Sequence, residues 1–221
     1  MDKLVEIFKE HFGERLVSIG LHNIGVTSFL NKNGIFIVLD KVEPEDLLNI
    51  KSVYSKHKKQ YSTPIVVNKN FFKDSVDVFC IEMLELKENA EILYGEDVFK
   101  DLEVKDEHLR RQLEYELRSK LLSLKGAFVD LPLDKKVIDN MTYRSMYNFL
   151  LILRNLLRLK GKLINDERLV EVFEETFNVK LSAFKALRDA EKLGFDKLLE
   201  LFKQYLKEVE HLVEISDKIL S

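Results

Sequence analysis

The stretch RLVSIGLHNIGVTSFLNKNGIFIVLD, residues 15–40, carries an apolar strand pattern (Leu16, Val17, Ile19) that runs into a loop punctuated by Gly20 and Gly25; a second apolar strand, Ile35–Leu39, follows at short distance. A strand, a glycine-punctuated loop and a second strand form a frame, and phosphoryl-type transfer on it would require side chains that position phosphates and neutralise their charge. Two carboxylates at i and i+2 of the second strand would point to one face and hold a pair of magnesium ions there. The frame in this chain lacks them. Leu21 and His22 follow Gly20, and the second strand is entered through Asn31, Lys32, Asn33 and Gly34. A lysine and a glycine hold no magnesium, and the neutral amides of Asn31 and Asn33 substitute poorly for carboxylates. The plainer alternative is a β-turn-β connection whose glycines supply only backbone freedom.

This outline resembles the nucleotidyltransferase superfamily. In that family a Gly-Ser pair ends the first strand, a second glycine lies five residues after the first, and an Asp-x-Asp pair opens the next strand. Gly20 and Gly25 match the two glycines, whereas Leu21 stands at the serine and Lys32 and Gly34 at the two aspartates. The run Asp77–Glu88, followed by Leu93-Tyr94-Gly95-Glu96-Asp97, is similar to the late strand and exit loop of a bacterial and archaeal group within the superfamily, and the helix through Leu109–Leu124 fits as well. The resemblance spans residues 12–125.

What the resemblance implies is a degenerate site. A vestigial nucleotide-binding cleft would comprise Gly20, Leu21, His22, Gly25, Lys32, Gly34 and Glu82, with no catalytic residue, no metal ligand and no cofactor. Lys32, beside the N–H groups of the Gly20–Gly25 loop, would place a fixed positive charge where a metal otherwise sits and hold a phosphate without one. The family commonly adds a third carboxylate from a late strand, and Glu82 or Asp77 could take that place. The alternative is an active enzyme using magnesium and a nucleoside triphosphate, with Asp40, Asp77 and Glu82 as relocated acids.

Other chemistry finds few residues to stand on. The five histidines, His11, His22, His57, His108 and His211, are scattered, and no Cys/His cluster has zinc spacing. The chain has no phosphate loop ending in Lys-Ser or Lys-Thr, no Rossmann glycine triplet and no Gly-x-Ser-x-Gly elbow. Some helix bundles that follow a nucleotidyltransferase fold resemble the HEPN ribonucleases, whose signature places a histidine four to six residues after an arginine. No histidine of the helical half has an arginine at that spacing.

Composition bounds the remaining classes. Hydrophobic residues make up 46% and charged residues 33% of 221, which describes a folded chain able to bury a core. The net charge of -3 conceals 35 basic and 38 acidic side chains, so no global basicity points to nucleic acid. Cys80 is the single cysteine, set in an apolar run, and a reducing cytoplasm is the expected compartment. The N-terminus lacks the apolar core of a signal peptide, and the most apolar stretch, residues 149–159, is broken by Arg154 and Arg158. Abundant Lys and Glu without Trp resemble a thermophile's usage.

The elements expected to position the site divide at residue 104. Leu4, Ile7, Phe8 and Phe12 form a helical stripe; Pro44 opens a helix running to about Ser55; residues 64–67 and 76–86 read as further strands. In that last strand Val78, Cys80, Glu82 and Leu84 would share one face. Residues 105–221 read as a helix bundle: a helix from Asp106 with Leu109, Leu113, Leu117 and Leu121 on one stripe; a loop over 124–133; a long helix over 135–160 closed by Gly161; helices capped by Asn165 and Ser182, the latter stopping at Gly194; and a last helix over 196–220. Arg110, Arg111, Arg118 and Lys120 could form a phosphate-binding face, but interleaved glutamates favour i,i+4 pairing.

The expected fold class is therefore α+β, a nucleotidyltransferase-like mixed sheet followed by an all-α bundle. The expected function is that of a non-catalytic binding or scaffold module. A nucleic-acid-associated subunit using the helix over 110–125 is a further alternative. The all-round apolar segment Phe149–Leu153 predicts burial among several helices, and apolar excess of this kind predicts a homodimer with helical residues at its interface. A protein partner also fits this reading, and no membrane is expected.

Overall fold

A computed structural model of the chain describes residues 2–23, 33–190 and 193–220. The fold is α+β, and it divides into two compact units that meet in sequence between Leu109 and Arg110.

The first unit is built on four strands in the order β3-β2-β1-β4: β1 (Leu16–His22), β2 (Gly34–Leu39), β3 (Ile65–Asn68) and β4 (Glu91–Gly95). β1 pairs antiparallel with both β2 and β4, while β2 and β3 run parallel, so the sheet is mixed. The parallel pair needs a crossover, and helix α2 (Pro44–Tyr54) supplies it. β2 is buried along its whole length, which explains why its sequence is a continuous apolar run rather than an alternating one.

Each sheet face has its own core. Ile19, Leu21, Ile35, Ile37 and Leu39 pack against Leu4, Val5, Phe8 and Phe12 of α1 (Asp2–Phe12) and against Ile50 and Val53 of α2. The opposite face, with Phe36 and Val38, packs against Phe72 of α3 (Phe71–Asp74), Met83 and Leu86 of α4 (Cys80–Asn89), and Phe99 and Leu102 beyond β4. Arg15 ties the start of β1 to the start of α2: its guanidinium donates to Asp46 at 3.1 Å and to the Lys41 carbonyl at 3.0 Å. Asp46 also accepts from the Glu43 N–H at 2.9 Å, closing a capping box. The Arg15 hydrogen bond, helped by that backbone donor, holds the Asp46 carboxyl below its ordinary range.

Two expectations for this unit are corrected. Residues 76–86 do not form a strand; Cys80–Asn89 is helical, and the late strand is Glu91–Gly95, which had been expected as an exit loop. Cys80, Ile81, Met83 and Leu86 are buried at helical spacing, and the Glu, Met, Leu and Lys of the segment are strong helix formers. Gly20 also lies within strand β1 rather than in the loop that follows it.

The second unit is helical: the remainder of α5 (Asp106–Asp130), then α6 (Lys135–Arg158), α7 (Leu169–Phe177), α8 (Ser182–Arg188), α9 (Phe195–Glu214) and α10 (Ser216–Leu220). α6 is its central helix, and Phe149, Leu150, Ile152 and Leu153 are all buried, as an all-round apolar segment requires. Asp134 caps it by accepting from the Lys136 and Val137 N–H groups. Gly161, at φ 72°, takes the left-handed turn that closes it, and the Lys162 N–H returns to the Leu157 carbonyl at 3.0 Å.

Boundaries in this unit also depart from expectation. α5 continues through Asp130, so most of the anticipated 124–133 loop is helical. α7 starts at Leu169 rather than at Asn165, because Asp166 spends its side chain on a local turn, accepting from the Arg168 N–H at 2.9 Å. Ser182 is not a cap, α8 ends at Arg188 rather than Gly194, and the last helix breaks at Ile215. The cap of α8 comes instead from α9: the Glu208 carboxylate accepts from the Ala183 N–H at 2.8 Å and the Phe184 N–H at 3.3 Å. Replacing it strands two helix N–H groups, so Glu208→Ala should lower stability by about 2 kcal/mol, read as a lower urea midpoint at unchanged slope.

Candidate functional site

The residues singled out by sequence lie mainly at one rim of the first unit's sheet. β1 ends at His22, and the register sets His22 directly opposite Gly34, the first residue of β2. A β-carbon added to Gly34 would stand 2.0 Å from Cε1 and 2.1 Å from Nε2 of His22, so the imidazole occupies the space a side chain at 34 would need. The ring is itself enclosed: His22 is 8% exposed, and neither Nδ1 nor Nε2 has a hydrogen-bond partner among the described residues. Burial without a partner disfavours the charged form and pulls its pKa down to about 4.

Gly20 sits two residues earlier on the same face, opposite Phe36. A β-carbon there would fall 2.1 Å from the Glu91 carbonyl oxygen and 2.5 Å from the Phe36 ring. Phe36 lies edge-on to Phe99, with centroids 5.0 Å apart, and Phe99 in turn contacts Phe72 at 4.8 Å. This glycine is required because an aromatic cluster and the neighbouring strand close over it. Leu21, at the position matched to the family's serine, points to the other face and is buried in the core against α1 and α2.

Gly25, Asn31 and Lys32 lie outside the described residues, and the acidic candidates are dispersed. Glu82 is half-buried on α4 and Asp77 is exposed in the turn before it. Asp40 follows the last residue of β2, where it receives Arg15 Nε at 3.4 Å. It lies six residue steps from Gly34, about 20 Å along β2. Among the described residues no group of three or more His, Cys, Asp or Glu side chains is placed to hold a metal ion.

Arg118, Lys120 and Lys125 of α5 are engaged within the second unit. Arg118 pairs with Glu114 at 3.2 Å and Asp217 at 3.5 Å, Lys120 with Glu116 at 3.4 Å, and Lys125 with Glu210. The same unit contains a groove of about 450 Å³ between α5 and α6, a size within the range of ligand pockets. Leu124, Ala127 and Met141 form its apolar wall, while Asn140, Arg144 and Asn148, at i, i+4 and i+8 of α6, form a polar edge opposite Lys120. Sequence reading passed over this edge, although its spacing is written in the chain. Ser145, which also lines the groove, shares a hydrogen bond of 2.8 Å with the hydroxyl of the buried Tyr205.

No protein-family model matches the chain, and no curated protein matches it in sequence.

Proposed function

We propose that the chain is a non-catalytic binding or scaffold module: a degenerate nucleotidyltransferase-like sheet unit followed by a helix bundle. The observation that carries this reading is the packing of His22 on Gly34. Under the resemblance, Gly34 stands where an active relative has the second aspartate of its metal-binding pair. The imidazole fills that position, so the backbone there admits no carboxylate while the ring stays in place. β1 and β2 contain no acidic residue at all, which leaves the opposed strands without a metal ligand pair. The antiparallel β1–β2 pair in a mixed sheet, with helices on both faces, supports the fold half of the reading. The α5–α6 groove, lined by Arg144 and Lys120 among others, supports the binding half. Self-association through the helical unit belongs to the same reading.

The test is calorimetry with nucleoside triphosphates, with and without magnesium, on the natural chain and on Lys32→Ala, beside an assay of nucleotide transfer to protein and RNA acceptors. The expected outcome is no magnesium-dependent binding and no transfer. Weak metal-independent binding that Lys32→Ala abolishes would identify a vestigial phosphate site. Binding that requires magnesium, or any transfer, would overturn the proposal in favour of an active enzyme using Asp40, Asp77 and Glu82.

A further inference from the structure

Tyr115, Leu122 and Val129 recur every seven residues along α5 and are 69%, 73% and 86% exposed. They stand on the side of the helix opposite its buried stripe, Leu113, Leu117 and Leu124. Between them, at the alternating spacing of four and three, come Ser119 and Gly126, and Leu133, 61% exposed, continues the series past the helix end. The face is uncharged from Tyr115 to Val129. Written as a heptad, Tyr115, Leu122 and Val129 occupy d positions, and Ser119 and Gly126 occupy a.

Gly126 is the anomaly in this face. It lies inside a 25-residue helix, where glycine is about 1 kcal/mol less favourable than alanine. A β-carbon there would meet nothing within 4 Å among the described residues, so no contact among them requires a glycine at this position. A helix face that combines exposed large apolar groups with a small residue suits the close approach of another helix.

We propose that this face is the seam of a parallel homodimer, in which α5 packs on α5 of a second copy. The inference deepens the self-association put forward above and rests on that reading. Orientation follows from the flanks. The g positions are Arg111, Arg118 and Lys125, and the e positions are Glu116, Ser123 and Asp130. In a parallel pair each g position faces the e position five residues further along the second copy, which sets Arg111 against Glu116 and Lys125 against Asp130. An antiparallel pair would set the basic flank against the basic flank and the acidic against the acidic. Within the chain Lys125 pairs with Glu210 and Glu116 with Lys120, so pairing across the seam adds a second partner to charges that already have one.

The experiment is light scattering on the full chain at tens of micromolar, together with disulfide trapping of Ser119→Cys and Val129→Cys under mild oxidation, with the natural chain as control because its only cysteine, Cys80, is buried. Twice the 26.0 kDa chain mass is expected, falling to the chain mass in Leu122→Lys with unchanged far-UV circular dichroism. Both cysteine variants should form covalent dimers. In an antiparallel pair centred on Leu122 the two copies of residue 119 would lie about 9 Å apart along the axis and those of residue 129 about 21 Å apart, beyond disulfide reach. A dimer that neither cysteine traps, or that survives Leu122→Lys, would overturn this seam while leaving self-association standing. A chain mass of one copy would overturn both and leave the stripe to a different protein.

Discussion

Gly20→Ala should cost the first unit about 3 kcal/mol or more. The reason is the nature of what the methyl meets. Side chains can rotate away from an intruder, but the Glu91 carbonyl, 2.1 Å from the added carbon, belongs to the backbone of the paired strand β4. Relief would require β4 to peel from β1, or Phe36 to leave the cluster it forms with Phe99 and Phe72. The comparison that isolates this cause is Gly126→Ala, the same chemical change on an exposed helix, where nothing among the described residues lies within 4 Å. Measured at concentrations that keep the chain monomeric, Gly126→Ala should gain up to about 1 kcal/mol because alanine restricts the unfolded chain and favours helix. Urea unfolding followed by tyrosine fluorescence and circular dichroism reads both. Equal effects of the two substitutions would show that glycine's backbone freedom, rather than the closeness of β4 and Phe36, explains Gly20.

That contrast marks what sequence can and cannot reveal about this fold. The stripe of α1, the proline start of α2 and the apolar middle of α6 were legible because each follows from residues within one helical repeat of one another. Gly20 was legible as a necessary glycine, but its reason was not: a loop glycine and a strand glycine beneath an aromatic ring look alike until the register of β1 on β2 is known. The helix Cys80–Asn89 was misread because the segment is entered through a short apolar run, Val78, Phe79, Cys80 and Ile81, which suits a strand as well as a buried helix, and this outweighed the helix-forming Glu, Met, Leu and Lys that follow. The α8 cap lies beyond any local reading, since Glu208 is 25 residues from Ala183 and reaches it only after α9 has packed. Candidate site residues share this limit. His22 was visible as a histidine near a glycine-punctuated loop; that it stands over Gly34 depends on strand pairing across residues 23–33, which no spacing rule fixes.

The consequence of that pairing is a second large effect. As the pH falls from about 6.5 to about 4, the chain should lose about 3 kcal/mol of stability through His22 alone. The folded protein keeps the imidazole neutral down to about pH 4, because the ring is buried with no partner on either nitrogen among the described residues. The unfolded chain takes up its proton near pH 6.5. Between these values the unfolded state binds more protons, so stability falls with falling pH; above pH 6.5 both states are neutral and the contribution is flat. Paired carboxylates such as Asp46 and Glu171 also lose stabilisation on acidification, but their pKa values lie below the ordinary carboxylate range, so they act at the acid end. His22→Phe separates the two contributions, since it keeps a flat ring over Gly34 and removes the titration. The difference in unfolding free energy between variant and natural chain should be constant above pH 6.5 and grow by about 3 kcal/mol by pH 4. In parallel, the His22 Cε1 proton resonance should titrate near pH 4. A midpoint near 6.5, with parallel stability profiles for the two proteins, would mean that solvent reaches the ring, that the space above Gly34 is open, and that the closed rim on which the non-catalytic reading rests does not exist in solution.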